Sequence, residues 1–191
     1  MSKTKIFNVA INDVRNINFS STKCYTTWHS MIRRCYSKVY KQHKPTYNNV
    51  SMCSEWLKLS NFVPWFNENY IEGWALDKDI LSKKSKQYCP DNCCFVPAEI
   101  NSALIKNRTG NSFPAGVYYK KRLNKYIAQL SNTSNGIRTT IHLGCFNTPD
   151  EAFLKYKEAK EAYLKELADK WKNQLSVKAY NGIINYIVEP Y

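Results

Sequence analysis

Long apolar runs are missing from this 191-residue chain: no stretch of 18 apolar residues occurs, so no segment reads as a membrane-spanning helix. The start, MSKTKIFNVAINDVRN, lacks the apolar core of a secretory signal. The chain is therefore expected in a reducing, cytoplasmic compartment. Its seven cysteines, an odd number, are expected as thiols or metal ligands rather than disulfides. No low-complexity tract and no evident repeat divides the sequence.

Acidic residues are few, and their absence is patterned. None lies between Asp13 and Glu55, a window holding Arg15, Lys23, Arg33, Arg34, Lys38, Lys41 and Lys44. None lies between Glu99 and Asp150, where Lys106, Arg108, Lys120, Lys121, Arg122, Lys125 and Arg138 fall. Soluble surfaces usually intersperse both signs, so two windows of about +7 each read as positive faces. Histidine is scarcer still: the three are His29, His43 and His142.

What is present points to a folded, basic protein. Hydrophobic residues make up 43% of the chain and tyrosines number 14, more aromatic content than a disordered chain carries. With 28 Lys and Arg against 15 Asp and Glu, the formal net charge is +13. Such an excess favours a polyanion, nucleic acid or an anionic membrane surface.

Periodicity places the elements. Tyr25, Trp28, Met31, Ile32, Cys35 and Tyr36 recur at helical spacing, predicting a helix from Tyr25 to Tyr40 with Ser21 or Thr22 as its cap, then a loop over 41–50. A second helix is expected over 54–69, capped by Ser54 and broken or kinked at Pro64. Residues 73–97 read as a hairpin or small β-element leading into a helix at 98–106, and the Gly/Asn/Pro-rich stretch 107–116 as a domain boundary. GVYYKK, KYIAQLS and RTTIHLGCF are three short strands separated by turn signals. Thr148, Pro149 and Glu151 then supply a cap, a first helical residue and a capping box. The expected fold class is α+β: a helical module with a ββα-like element over 1–106, a sheet-and-helix domain over 112–172, and a tail over 173–191.

Alternation assigns the faces of that sheet. Val117, Tyr126, Ala128, Leu130, Ile141 and Leu143 point toward the helix. Tyr118, Lys120, Lys125, Ile127, Gln129, Ser131, Thr140 and His142 point away, with Arg138 beside them and Lys121 and Arg122 in the first turn. Apart from Ile127 and Ser131 these are the candidate DNA-contacting residues, since such side chains suit phosphates and base edges. The segment from Gly116 to Glu161 resembles the DNA-binding domain of plant ethylene-response factors (the APETALA type), which also occurs in phage and mobile-element proteins. The residues that carry the resemblance are Gly116-Val117, Lys125-Tyr126-Ile127-Ala128, Leu143-Gly144-Cys145-Phe146-Asn147-Thr148, Glu151-Ala152 and Tyr156. The resemblance implies that the sheet enters the major groove of double-stranded DNA. The Arg and Trp positions of that family correspond here to Tyr118, Thr140 and His142, which implies a different sequence preference.

Phage proteins with such a domain often carry an HNH endonuclease module before it, and Leu76-Asp77-Lys78-Asp79 through Pro90-Asp91-Asn92 to Asn101 resembles that ββα element. The resemblance implies catalytic or Mg²⁺-binding roles for Asp77, Asp79 and Asn92. The chemistry also needs a histidine as general base, and none lies between His43 and His142. The module therefore reads as degenerate unless folding brings His29 or His43 to Asp77. Cys35, Cys53, Cys89 and Cys93 are candidate ligands of a structural zinc; only Cys89 and Cys93 have ligand spacing, and thiols packed as small hydrophobes are the competing reading. Three functions remain open: a phage-type duplex-binding protein with a nuclease-like remnant, an active metal-dependent nicking or homing endonuclease, and a phage factor that modulates a host protein.

Overall fold

The computed structural model describes residues 5–14, 21–82, 85–105, 113–134 and 137–190, without the side chains of 133, 134, 137 and 138. The chain is α+β and divides into two compact units, Met1–Phe95 and Val96–Tyr191. No described helix is long and apolar enough to cross a membrane.

In the first unit, helix α1 (Lys23–Tyr36) starts where Thr22 accepts a hydrogen bond from the Tyr25 N–H at 3.2 Å. Its buried stripe is Cys24, Trp28, Met31, Ile32 and Cys35. The expected single helix to Tyr40 is two helices, because Ser37 is extended (ψ 114°) and caps α2 (Lys38–His43) by accepting from the Tyr40 N–H. The loop expected from residue 41 thus begins as α2, and a 3-10 turn follows at Pro45–Tyr47. Strand β1 (Ser51–Met52) later pairs in parallel with β3 (Gln87–Tyr88). The helix expected over 54–69 begins instead as a 3-10 turn, Glu55–Leu57, and continues as α3 (Leu59–Asn69). Pro64 lies inside α3 without ending it. The lost N–H bond is outweighed by the aromatic faces this helix buries: Phe62 and Trp65 lie 5.0 and 4.7 Å from Trp56, and Phe66 lies 5.6 Å from Phe95. The Trp28 indole N–H donates to the Trp56 carbonyl at 2.6 Å, locking α1 to this cluster. Strand β2 (Ala75–Asp77) pairs with β4 (Cys94–Val96).

In the second unit, α4 (Ala98–Leu104) precedes an antiparallel sheet of β5 (Val117–Lys120), β6 (Lys125–Ser134) and β7 (Ile137–Phe146), in that order. Helix α5 (Pro149–Lys170) starts with the full capping box: Thr148 accepts from the Glu151 N–H, and the Glu151 carboxylate accepts from the Thr148 N–H. Helix α5 contacts all three strands, and Ala152 and Phe153 pack with Val117 and Ala128 in the core. Gly116 has φ +73°, and a Cβ there would lie 2.0 Å from the ring of Tyr156. The positions are coupled: the tyrosine ring lies over a backbone that only glycine leaves open.

Two stretches expected outside this domain belong to it. Helix α4 contacts β6 and α5, and its Glu99 accepts from Lys170 at 2.7 Å and from the Trp171 indole. The tail holds α6 (Val177–Ile184), whose Ala179 and Ile183 are buried, and Val188 enters the same core as Val117. The Val188 N–H donates to Glu161 and the Ala115 N–H to the Pro190 carbonyl. These contacts are tertiary, so no local pattern in 98–106 or 173–191 signalled them.

Two substitutions probe this unit. Gly116→Ala is expected to cost about 2–4 kcal/mol, from strain at positive φ plus overpacking, with partial recovery in Gly116→Ala/Tyr156→Ala; urea melts of both check it, and an unchanged Gly116→Ala melt refutes the contact. Lys160 is buried over the Tyr163 ring at 5.8 Å, and burial lowers its pKa from 10.5 to about 8. Below pH 8 the lysine is charged in both states and folding bears the whole desolvation cost, which fades as pH rises toward 10.5. Lys160→Met is therefore expected to melt higher than wild type at pH 7, with a gain on the order of 1–3 kcal/mol that narrows from pH 8 to 10.5.

Candidate nucleic-acid interface

The sheet register puts Tyr118, Lys120, Lys125, Gln129, Thr140 and His142 on one face. Lys120 stands directly opposite Lys125, and Tyr118 opposite Ile127. Gln129 stands opposite His142, and Ser131 opposite Thr140. Pairing shifts between Ala128 and Gln129: Ala128 faces Gly144 while Gln129 faces His142, so Leu143 is the extra residue of a bulge. The bulge lies in β7 and leaves β6 in phase, so Lys125, Ile127, Gln129 and Ser131 share a face with Tyr118 and Lys120. Strands β5, β6 and β7 contain no Asp or Glu.

Several of these side chains are oriented by neighbours. The Lys125 ammonium donates to the Asn147 side-chain oxygen. The Ser131 and Thr140 hydroxyls are 3.1 Å apart, and His142 Nε2 lies 3.7 Å from the Cys145 thiol. Lys121 and Arg122 are exposed in a 3-10 turn closed by left-handed Asn124, whose side chain accepts from the Tyr119 hydroxyl. Arg138 pairs with Thr133 through its backbone; its side chain lies outside the described residues. Ser131 and Cys145 were not among the predicted contacts, although alternation from Gln129 already put Ser131 on this face. Ile127 shares this face yet is 1% exposed, so the sheet is covered at that point. Ile141, expected under the helix, is 48% exposed although it pairs with buried Leu130.

Of the nuclease-like residues of the first unit, Asp77 ends β2, and Asp79 and Asn92 lie in the loops that follow. Asp77 Oδ1 accepts from the Asp79 and Ile80 N–H groups at 2.7 and 2.9 Å. Burial pushes the Asp77 carboxyl above its ordinary range, against the pull of those two amides. Asp79 is paired with the buried Lys78. The Asn92 amide donates to Ser85 Oγ at 2.6 Å and to the Gln87 carbonyl at 3.1 Å, tying the 85–92 loop. His29 stacks on Tyr25 at 5.7 Å, and His43 Nδ1 is 2.9 Å from the Val39 carbonyl. Among the described residues, the hydrogen bonds of Asp77 include neither histidine.

Cys35, Cys53 and Cys93 are buried in one core cluster with Cys89 packed against it. Among the described residues no group of three or more His, Cys, Asp or Glu side chains is placed to hold a metal ion. Burial pushes the Cys35 and Cys94 thiols up to about 12 and raises Cys93 and Cys53 as well, as packing among apolar side chains does. No protein-family model matches the chain, and no curated protein or solved structure matches it significantly.

The two amide bonds to Asp77 make a discriminating substitution. An asparagine oxygen can accept both bonds and carries no charge to desolvate. Asp77→Asn is therefore expected to match or exceed wild-type stability, whereas Asp77→Ala loses about 1 kcal/mol, the usual cost of a missing cap. Thermal melts at pH 7 decide: a large loss in Asp77→Asn would show that the charge itself holds the turn.

Proposed function

We propose that the chain binds double-stranded DNA by laying the outer face of β5–β7 in the major groove. The observation that carries this is the acid-free face on which Lys120 meets Lys125. Like charges directly opposite destabilise a sheet, and an anionic partner relieves them. Size agrees: adjacent strands are about 4.8 Å apart, so three span roughly 10 Å, within a groove about 12 Å wide. Lys120, Lys121, Arg122 and Lys125 would meet phosphates, while Gln129, Thr140 and His142 would face base edges. Tyr118 borders the same row, and Arg138 belongs with the phosphate contacts.

This reading keeps the resemblance to the ethylene-response-factor type of domain and the phage setting that goes with it. The packing of Gly116 against Tyr156, and the Thr148–Glu151 box, give two of its motifs a structural reason. We read residues 77–101 as a scaffold related to the HNH element rather than as a cutting site. Asp77, Asp79 and Asn92 already serve neighbouring backbone or side chains.

The test is a salt titration of duplex binding. Log K is expected to fall with log salt by about 0.9 for each phosphate contact, and Lys120→Ala and Lys125→Ala to lower that slope by about one each. Gln129→Ala should flatten sequence preference, a bidentate contact to adenine being worth about 1–3 kcal/mol. Affinity indifferent to salt would sink the groove-docking reading.

A further inference from the structure

In the first unit, Arg33 and Arg34 have no ion-pair partner among the described residues. Arg33 and Arg34 end α1, on the side where α2 and the 3-10 turn fold back. The Arg33 guanidinium lies over the Tyr40 ring at 5.1 Å and the Arg34 guanidinium over Tyr47 at 5.9 Å. The two tyrosines meet edge to face at 5.6 Å. Arg34 also donates to the Tyr88 hydroxyl at 3.3 Å, and the far side of this group is Lys78, whose ammonium lies 5.9 Å from the Tyr88 ring.

The partners of the arginines are therefore π faces and a phenol. Burial pushes the Tyr88 phenol up, so it stays neutral beside Arg34. Among the described residues neither arginine has a carboxylate within ion-pair distance, and Asp79 is taken by Lys78. Lys38, Lys41 and Lys44 add charge along the following turns, in a window without Asp or Glu from 14 to 54. A half-buried arginine with a carboxylate partner is a closed ion pair. Here the aromatic faces hold each guanidinium without cancelling its charge, and Arg33 stays exposed. Planar forks held in this way match phosphate oxygens.

We propose that the α1–α2 corner is a second nucleic-acid site, in which Arg33 and Arg34 grip backbone phosphate while Tyr40, Tyr47 and Tyr88 hold them in place. The ligand is the phosphodiester backbone, read without regard to sequence. The site does not depend on the sheet, and its test separates the two.

The experiment is a salt titration of duplex binding by the full chain, with Arg33→Ala, Arg34→Lys and the double variant Lys120→Ala/Lys125→Ala compared with wild type. Arg33 is exposed, so Arg33→Ala is expected to fold normally and to lower the salt slope by about 0.9. Arg34→Lys keeps the charge and loses the fork, so its slope is retained while affinity falls about three- to tenfold. Lower slope in Arg33→Ala with an unchanged slope in the sheet double variant would uphold this site and refute docking by the sheet. Wild-type slope and affinity in both arginine variants would overturn the site, whatever the sheet variant does. Should Arg34→Lys melt early, Arg33→Ala decides alone.

Discussion

The ring of Tyr156 occupies the space that a side chain at residue 116 would need, and the aim of the sheet follows from that contact. With φ at +73°, Gly116 turns the chain into β5, and its carbonyl accepts from the Gln129 N–H at 2.9 Å. That bond continues the ladder in which Val117 faces Ala128 and Lys120 faces Lys125. Tyr156 in turn is placed by α5, whose first turn is fixed by Thr148 and Glu151. A local signal, the capping box, thereby sets a helix; the helix sets a ring; and the ring selects the turn that puts two lysines opposite each other. The outer face is determined from beneath.

Charge is divided between two kinds of partner. In the second unit carboxylates serve the helical scaffold: Lys155 pairs with Glu158, Lys157 with Glu161 and Lys170 with Glu99. In the two acid-free windows, described cations are held instead by neutral groups, Lys125 by an asparagine and Arg33 and Arg34 by tyrosines. A carboxylate partner cancels the field of a cation at distances beyond a few ångströms, while an amide or a ring leaves it standing. The acid-free windows thus have a structural counterpart. Where the sequence omits acids, the fold supplies orientation without neutralisation.

What was legible in the sequence was local. The strands of the sheet, the helix start at Pro149 and the Thr22 cap were readable because each depends on residues within a few positions. The break at Ser37 was not, because the next tyrosine continues the helical spacing while a serine side chain takes the Tyr40 amide. At Pro64 no break occurs: its local cost is real, but the helix runs on through it and buries Phe62 and Phe66. The membership of α4 and of the tail rests on Glu99, Val188 and Pro190 meeting residues from 27 to 75 positions away in the chain, and no window of sequence contains both partners. On the sheet, alternation was right about direction and silent about cover, so Ile127 was placed on the correct face without its burial being foreseen.

The same residue types build turns and metal sites, which is why Asp77, Asp79 and Asn92 could be read either way. What separates the two uses is how far the oxygens are already committed. A carboxylate that accepts two backbone amides from a tight turn has one oxygen spent on the fold, and moving it to a cation would unmake the turn. Asp77 is in that position, Asp79 is tied to a lysine, and the Asn92 amide spends its donors on Ser85 and Gln87. Lys78 adds a further obstacle, since a buried ammonium beside these carboxylates repels any cation approaching them. The groups a metal would need are therefore the ones that hold this turn together.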